Sequence, residues 1–313
     1  MQFVLKNDKL QLVVDSLGAE MHSLQSSDGV EYLWQGDPEY WGNRAPNLFP
    51  FVGRLTNDSY KYLGKVYPLG IHGFASSEEF TIVEQNTTSL TLELCSSQET
   101  KNSYPFDFSL LITYALREDT VDITFCVHNS GQNTMPFGIG GHPGFNVPLV
   151  GGEQFEDYVL EFSCPCQPDR VGFSPAVYLN GQDELYPLRE DKYIDLRHDL
   201  FDEDAVILKN MAREITLRSK VSGRGVCVVY PDLAYLGIWH WPKTTAPYVC
   251  IEPWCSLPSR QGITENLEEQ KNLISLEAGR ECQISWTMEI LKSDLIQLPP
   301  NKKYETTWSI TVI

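Results

Sequence analysis

Alternation of apolar and polar residues with a period of two is the feature that most limits what this chain can fold into. It occurs at Leu90, Leu92 and Leu94, and again from Val121 to Val127. Because successive side chains of a strand point to opposite faces of a sheet, the pattern predicts strands with one buried face. Similar alternation, or a short apolar run, predicts further strands at Leu10 to Val14, Phe108 to Leu116, Met135 to Ile139, Val206 to Leu208, Ile215 to Leu217, Val226 to Val229 and Tyr248 to Ile251.

Turn-forming residues separate these segments at short intervals. Examples are Ser27-Asp28-Gly29, Asn129-Ser130-Gly131 and Asn180-Gly181-Gln182, in which Gly, Asn and Asp adopt turn conformations at low cost. Stretches with a helical period are almost absent, and the best short candidates are Asn266 to Ile274 and the turn near Pro46 to Phe49. Many strands joined by short turns predict an all-β fold, a large antiparallel β-sandwich with few short helices.

The distribution of motifs predicts one domain with an extension. The segments described below extend from residue 44 to residue 254 without a linker-like stretch, so residues 1–291 are expected to form a single β-sandwich domain. Near the C-terminus, Leu273 to Trp286 recurs as Leu295 to Trp308, with the two tryptophans in the same relative place. We therefore expect residues 292–313 to add a strand to the outside of the sheet and to take no part in the site.

Charge and cysteine content argue against several classes of protein. The 313 residues carry a formal net charge of −18, whereas nucleic-acid-binding proteins have basic surfaces. No apolar run approaches the ~20 residues of a membrane-spanning helix. The start lacks the basic region and apolar stretch of a secretory signal, so a cytoplasmic location is expected. The eight cysteines should then be reduced, and Cys164-Pro165-Cys166 lacks the second ligand pair of a zinc site.

Three short segments each combine a titratable side chain with glycine or proline and an aromatic ring. They are Ile71-His72-Gly73-Phe74, Gly141-His142-Pro143-Gly144-Phe145 and Ile251-Glu252-Pro253-Trp254. Glycine lets a backbone approach a ligand closely, and proline fixes the direction of its neighbour. An imidazole is a good general acid near neutral pH, and desolvation after an apolar strand raises the pKa of a carboxyl group toward that of a useful base. His142 and Glu252 are therefore the predicted acid and base.

Some of these residues also have purely structural interpretations. His72 could bind a sugar hydroxyl or satisfy backbone carbonyls, and Glu252 could be a strand-end carboxylate paired with Arg260. Arg54 emerges from an apolar segment braced by proline, where a guanidinium pairs with a substrate oxygen or a buried carboxylate. Four tryptophans are candidate platforms for stacking a sugar ring, although core packing would explain any one of them: Trp34, Trp41, Trp239 and Trp254.

In their order along the chain, these segments resemble those of the aldose 1-epimerase (galactose mutarotase) family, in particular its bacterial members of uncertain sugar preference. The resemblance covers roughly residues 1 to 290. It rests on the segments around His142 and Glu252 and on four others: Gly18 to Leu24, Glu31 to Pro38, Ala45 to Leu55 and His72 to Ala75.

The resemblance implies a mutarotase-like supersandwich with an open cleft and with no metal or organic cofactor. In such a site Glu252 would remove the proton of the anomeric hydroxyl and His142 would protonate the ring oxygen. Ring opening, rotation and reclosure would then exchange the α and β anomers. We expect Glu252 and His142 to lie on facing walls of one hollow, with a pyranose between them.

The resemblance also implies a set of groups that hold the sugar. Arg54 and His72 would hold hydroxyls and polarise the ring oxygen, and Trp254 would contact the substrate. An acidic sugar-binding residue is expected shortly before the strand that begins at Val206. Asp202 and Asp204 both fit, and we favour Asp204.

Three other functions fit the same residues. A lectin-like sandwich would bind sugars with its aromatic residues and would need no acid–base pair. A mutarotase for hexose phosphates would hold the phosphate with Arg54 and Arg44. A glycoside hydrolase would use Glu252 with Asp204 or Asp232. The favoured partner is a free aldohexose, bound by a monomer or a homodimer without contacts to nucleic acid or membrane.

Overall fold

The computed structural model describes residues 1–292, most of whose regular structure is extended. In chain order, the strands of the first half are β1 (Gln2–Lys6), β2 (Leu10–Asp15), β3 (Met21–Ser26), β4 (Asn47–Leu48), β5 (Ser59–Tyr62), β6 (Lys65–Pro68), β7 (Thr81–Gln85), β8 (Ser89–Cys95), β9 (Phe108–Arg117), β10 (Thr120–Asn129), β11 (Met135–Phe137), β12 (Gly140–Gly141) and β13 (Gly144–Asn146). Those that follow are β14 (Tyr158–Phe162), β15 (Asp169–Arg170), β16 (Glu184–Leu185), β17 (Tyr193–Asp195), β18 (Val206–Lys209), β19 (Glu214–Ser219), β20 (Gly225–Val229), β21 (Tyr235–Trp239), β22 (Tyr248–Trp254), β23 (Ile274–Leu276) and β24 (Glu281–Leu291). Helical segments are short, namely α1 (Thr100–Ser103) and 3₁₀ turns at Thr56–Asp58, Ala75–Ser77, Phe155–Asp157, His198–Phe201 and Leu267–Glu269.

Two large sheets organise these strands. One has nine strands in the order β17-β14-β19-β20-β24-β10-β9-β8-β7, and the other has eight, in the order β16-β15-β18-β21-β22-β12-β4 with β13 also paired to β22. Strands β1 to β3 form a third sheet. The pairings between the named strands are antiparallel. The predicted antiparallel all-β sandwich is therefore confirmed.

The core follows from the alternation in the sequence. In β9 and β10 every second residue is buried, and Ile112 and Phe125 are fully inaccessible to solvent. These side chains belong to one apolar cluster together with Leu236 and Ile251 of the eight-stranded sheet. Burial of the apolar face of each sheet against the other stabilises both, by roughly 1.5–3 kcal/mol for each large side chain that is removed from water.

The two predicted short helices do not form as expected. Residues Asn47 and Leu48 form strand β4, which pairs with β12, so a helix near Pro46 to Phe49 is wrong. The Asn47 side-chain amide donates hydrogen bonds to the carbonyls of Gly18 and Ala19, which holds the segment extended. Between residues 266 and 274, only Leu267–Glu269 adopts a helical turn before β23 begins. Tertiary pairing outweighs local preference at both places.

Three other predictions concern the ends and the surroundings of the chain. Of the expected extension at residues 292–313, all but Lys292 lies outside the described residues, so both the added strand and the single-domain assignment stay predictions. The first copy of the repeat ends in β24, which pairs with β10 and β20 inside the nine-stranded sheet. Within residues 1–292, the helical segments are too short and too polar to cross a bilayer.

Candidate active site

Strand pairing brings His142 and Glu252 together. Strands β12 and β13 flank His142, and both pair with β22, with Gly140 opposite Trp254 and Gly144 opposite Cys250. This register places His142 directly across from Glu252. The backbone N–H of His142 donates to the carbonyl of Pro46 at 3.0 Å, which fixes the short link between the two strands. As a result, Nε2 of His142 lies 3.1 Å from Oε2 of Glu252.

The two groups lie on one wall, and the expectation that they occupy facing walls is wrong. They are neighbours across adjacent strands of the same sheet, in direct contact, and no sugar ring fits between them. The arrangement is still suited to chemistry at an anomeric centre. The anomeric oxygen and the ring oxygen are bonded to the same carbon, so a sugar that approaches this wall can meet both side chains.

Burial shifts the acidity of both groups toward their neutral forms. Glu252 is 1% exposed and His142 is 8% exposed. Burial raises the pKa of Glu252 well above its ordinary value, and the negative charge of Asp204 adds to the effect. Burial lowers the pKa of His142 well below its ordinary value, and His72 contributes in the same direction. A single proton shared between the two groups can therefore lie on Glu252, which leaves both groups neutral, or on His142, which leaves both groups charged. The two arrangements have the same net charge.

Two polar atoms of this pair have few partners. Within the described residues, the buried Nδ1 of His142 makes no hydrogen bond, and the buried Oε2 of Glu252 has no polar partner beyond its 3.1 Å contact with Nε2 of His142. Buried polar groups in proteins nearly always have a hydrogen-bond partner, and exceptions concentrate at functional sites. This pair therefore differs from a buried ion pair that serves only stability.

His72 is held in a defined orientation beside the pair. Its backbone adopts a φ of 62°, its N–H donates to the carbonyl of Gly53 at 3.0 Å, and its Nδ1 accepts the N–H of Gly53 at 3.1 Å. The neutral ring must then carry its proton on Nε2. Burial, with a smaller contribution from the charge of Arg54, lowers the pKa of His72 to about 4. His72 is thus a neutral hydrogen-bond donor near pH 7, with its ring centre 5.6 Å from that of His142.

A cavity of about 500 Å³, here called the first cavity, opens over these groups. Its lining includes all six site residues predicted from the sequence, which are His142, Glu252, Arg54, His72, Asp204 and Trp254. Asp204, which we favoured over Asp202, is half-buried and lines this cavity, whereas Asp202 is exposed and lines a neighbouring one, the second cavity. The choice between the two aspartates agrees with this placement.

Aromatic rings form one side of the first cavity. The Trp41 ring lies 4.8 Å from the His142 ring and 5.5 Å from that of Trp239, and the 46% exposed Trp241 continues the wall. Trp34 is buried instead, stacked on Tyr248 at 4.6 Å, and is not part of the lining. Of the four candidate platforms, Trp41, Trp239 and Trp254 therefore border the cavity.

Sequence reasoning missed Gly237, which makes room for the Glu252 side chain. Gly237 pairs with Glu252 across β21 and β22, and a Cβ atom there would lie 3.1 Å from Cβ and 3.3 Å from Cδ of Glu252. A glycine inside a strand is a sign of close approach, and that signal was available in the sequence. Gly141, expected to let a ligand approach, is instead required for packing, since its Cβ would lie 2.7 Å from Trp286.

The structural interpretation of Glu252 as a partner of Arg260 is wrong. The Arg260 guanidinium pairs with Glu265, with Nη2 and Oε2 2.7 Å apart. The donors best placed for a metal ion in the described residues are those of His142, Cys250 and Glu252, which lie within 4.8 Å of one another. Burial and the nearby Glu252 raise the pKa of the Cys250 thiol well above its ordinary value. A metal held there would occupy the same atoms as the acid–base pair.

Comparison with known proteins places the chain in a family. The sequence model of the family described as Aldose 1-epimerase matches residues 1–288. Protein LacX of Lactococcus lactis subsp. lactis is 38% identical over 278 residues, which cover 86% of this chain and 90% of LacX. A galactose mutarotase-related enzyme from Lactobacillus acidophilus has a similar structure, with a TM-score of 0.89 and 36% identity, over 95% of this chain and 100% of that one. A galactose mutarotase-like protein from Lactobacillus casei gives a TM-score of 0.87 at 32% identity, over 93% and 100% of the two chains. The chain is therefore a member of the aldose 1-epimerase family, whose activity is the interconversion of sugar anomers.

Proposed function

We propose that this protein interconverts the α and β anomers of a free aldose, with Glu252 and His142 as the base and the acid. The observation that carries the proposal is the contact of 3.1 Å between the two side chains in the lining of the first cavity. Mutarotation requires one group that accepts a proton from the anomeric hydroxyl and one that donates a proton to the ring oxygen. This pair provides both within reach of one anomeric carbon.

The forward step begins with Glu252 as carboxylate and His142 as imidazolium. Glu252 takes the proton of the anomeric hydroxyl, the bond between C1 and the ring oxygen breaks, and His142 protonates the released oxygen. The product is the open-chain aldehyde, and rotation about the bond between C1 and C2 presents its other face. In reclosure, His142 takes the proton back from the hydroxyl and Glu252 returns one to the aldehyde oxygen.

The protonation states of the pair fit this cycle. When the cyclic sugar reacts, Glu252 is a carboxylate and His142 an imidazolium. When the open-chain sugar is present, both side chains are neutral. The pair holds the same number of protons in the two cases. Burial favours the neutral arrangement, while attraction across 3.1 Å favours the charged one. The attraction lowers the free-energy cost of the charged arrangement, and a reaction that must run in both directions requires both arrangements to be accessible.

Other lining residues would hold the sugar in place. The Nε2–H of His72 and the guanidinium of Arg54 are donors for sugar oxygens, and Asp204 is an acceptor for hydroxyls. Trp254 and the wall that contains Trp41 offer apolar surfaces to the faces of the ring. Together these groups provide the apolar surface and the few placed polar groups that are typical of a small-molecule site.

The charges of the lining favour a neutral sugar over a phosphorylated one. Among the described residues that line the first cavity, Arg54 alone carries a permanent positive charge, and Arg44 is not in the lining. Asp204 contributes a negative charge, and so does Glu252 in its ionised form. A hexose phosphate would need a second cation at this site.

Hydrolysis by Glu252 with Asp232, and the lectin-like alternative, receive less support from the geometry. Asp232 is exposed and accepts a hydrogen bond from the backbone N–H of Ser285, away from the cavity lining, so it is not placed to act with Glu252 in hydrolysis. A lectin-like module has no need for a buried carboxyl group and imidazole in direct contact. A cytoplasmic location and a monomeric or homodimeric state stay predictions.

The proposal is tested by following freshly dissolved α-D-glucose and α-D-galactose by polarimetry and by exchange NMR. We expect the protein to accelerate the approach to anomeric equilibrium, and the His142→Ala variant to lower kcat by at least about 100-fold, the lower end of the contribution of one positioned proton-transfer group. His128→Ala, on the outer face of β10, serves as the matched control. The proposal would be contradicted if the wild-type protein did not raise the rate of anomer exchange above the spontaneous rate for any sugar in a panel of free aldoses. An unchanged kcat in His142→Ala would contradict it as well.

A further inference from the structure

Two hydrogen-bonded histidines lie outside the groups that the proposed mechanism uses. His240 follows directly after β21 and is fully buried, and the half-buried His198 begins the 3₁₀ turn His198–Phe201. Nδ1 of His198 lies 3.1 Å from Nε2 of His240. Within residues 1–292, neither histidine belongs to the lining of the first cavity. Burying a polar ring costs free energy unless it is hydrogen-bonded, so the bonds of this pair indicate what it holds in place.

The hydrogen bonds of the histidine pair run in one direction. Nδ1 of His240 lies 2.8 Å from the carbonyl oxygen of Trp241, and because a carbonyl only accepts, this nitrogen must carry a proton. In a neutral ring Nε2 of His240 is then an acceptor, so Nδ1 of His198 donates to it. The result is a chain of two hydrogen bonds that leads from His198 through His240 to the backbone of Trp241.

The surroundings of the pair keep both rings neutral. The Phe155 ring stacks on that of His198 with the ring centres 4.0 Å apart, and the Phe201 ring lies 4.3 Å from that of His240. Burial lowers the pKa of His240 to about 4, and burial also lowers the pKa of His198. Near pH 7 each ring therefore carries one proton, which fixes the direction of the chain.

The histidine pair lies beyond the end of a strand pairing. In the described part of the chain, the ladder between β18 and β21 ends with Val206 opposite Ile238. Asp204 precedes this end on one segment and Trp241 follows it on the other, and both residues line the first cavity. The ladder extends to neither of them, so other bonds must set their relative positions.

The histidine pair connects these two segments. On one side, the turn that begins at His198 ends at Phe201, whose carbonyl accepts the N–H of Asp204 at 3.0 Å. On the other side, Nδ1 of His240 donates to the carbonyl of Trp241. The contact between the two imidazoles thus joins the segment that carries the Asp204 carboxylate to the segment that carries the Trp241 ring.

We propose that His198 and His240 are positioning residues for sugar binding, which set Asp204 and Trp241 relative to each other in the first cavity. This inference rests on the proposed function for the roles of those two lining residues. It adds two residues outside the lining to the set that determines sugar affinity. Both act through Asp204 and Trp241, and neither touches the substrate.

The test compares two substitutions of His198 that differ in the hydrogen-bond donor. In His198→Asn the amide nitrogen takes the place of Nδ1 and can still donate to His240, whereas His198→Leu fills the space without a donor. We expect KM for D-glucose or D-galactose, whichever the wild type turns over faster, to rise about fivefold in His198→Leu, the equivalent of one net hydrogen bond. The effect is moderate because the Tyr248 hydroxyl also accepts the N–H of Trp241, at 3.1 Å.

His198→Asn should restore KM to within about twofold of the wild type, because one donor at this place is sufficient. In both variants kcat should stay within about threefold, since His142 and Glu252 are positioned by β12, β13 and β22, and a loss of uniform binding raises KM alone. The matched control is His128→Leu, on the outer face of β10, which should change neither constant. If His198→Leu does not fold, His198→Gln replaces it, because its donor lies one bond further from the backbone and misses His240.

Titration calorimetry with the same sugars distinguishes this proposal from the proposed function. If the wild type binds a sugar without accelerating mutarotation, the proposed function fails. Affinity that weakens in His198→Leu and recovers in His198→Asn would still support the positioning role. Equal losses in the Leu and Asn variants overturn it, and so do unchanged KM and affinity in a His198→Leu variant with a native circular dichroism spectrum.

Discussion

Two buried carboxylates in this molecule show how similar burial can serve different ends. Glu153 and Glu252 are 8% and 1% exposed. Glu153 lies at a corner of the nine-stranded sheet, where Oε2 accepts the Tyr158 hydroxyl at 2.5 Å and Oε1 accepts the Ser219 hydroxyl at 2.9 Å. Both of its oxygens are therefore bound by donors that the fold supplies.

Glu252 lies in the eight-stranded sheet and lacks such donors. Its Oε2 contacts Nε2 of His142 but makes no well-formed hydrogen bond, and the nearby Asp204 is a like charge. A buried carboxylate whose oxygens both accept hydrogen bonds helps to fix the structure. A buried carboxylate with few donors has a raised proton affinity, and its oxygens can accept hydrogen bonds from a ligand. The contrast suits Glu153 to stabilising the fold, and it suits Glu252 to the acid–base role that we propose, at a cost in stability.

The largest expected effect compares turnover after the same substitution at the two sites. Glu252→Gln keeps the shape of the side chain but cannot accept a proton, so we expect kcat for mutarotation to fall by at least about 100-fold. Glu153→Gln changes an equally buried group that does not border the first cavity, and its kcat should stay within about twofold of the wild type. Polarimetry of fresh α-D-galactose or α-D-glucose measures both.

Circular dichroism of each variant should confirm a native fold before rates are compared. Equal losses of kcat in the two folded variants would remove the distinction between the carboxylates, and near-normal kcat in Glu252→Gln would eliminate Glu252 as the base.

A smaller effect should follow when the position of Glu252, and not its chemistry, is changed. In Gly237→Ala the new methyl group would lie 3.1 Å from Cβ of Glu252 and 3.2 Å from the Trp254 ring, so the carboxylate must shift by a few tenths of an ångström. A misplacement of about 1 Å can cost 100-fold in rate, so about tenfold is expected here. Initial rates at saturating sugar measure the effect.

Gly151→Ala is the matched control for this substitution, because nothing lies within 4 Å of its added methyl group. If kcat of Gly237→Ala equalled that of the wild type, the Glu252 carboxylate would be free to move without loss of rate. That result would contradict the tight positioning of the Glu252–His142 pair.

The sequence was sufficient for most of the architecture. The alternation in β9 and β10 predicts their inner faces because burial on one side of a sheet imposes a period of two. Strand β4 was beyond local reasoning, since it is held extended by distant partners, among them β12, which lies more than 90 residues later in the chain. Patterns within a segment report its own burial and give no information about distant partners.

The sequence was sufficient to name the candidate site residues but not their arrangement. His142 and Glu252 were identified from their neighbours in sequence, yet their side-by-side contact depends on the register of β12 and β13 on β22. The choice between Asp202 and Asp204 depends on a backbone turn, in which Asp204 has a φ of 79° and is the one of the two that lines the first cavity. Register and turn geometry arise from the whole fold, so the sequence could supply candidates but not distances.

The smallest expected effect concerns stability and has opposite signs at the two carboxylates. The folded pKa of Glu252 is raised above its ordinary value of 4.5, so the folded state holds a proton that the unfolded state loses as the pH rises. Glu252 therefore costs increasing stability above about pH 4.5, and Glu252→Gln should raise the free energy of unfolding at pH 8 by on the order of 1 kcal/mol, with little change at pH 4. Glu153→Gln should lower it by about 1–3 kcal/mol at pH 8, because the amide keeps only one acceptor oxygen and one of the two hydroxyl donors loses its acceptor. Urea unfolding at the two pH values measures both, and a Glu252→Gln variant that is destabilised at pH 8 would show that this carboxylate, like Glu153, supports the fold.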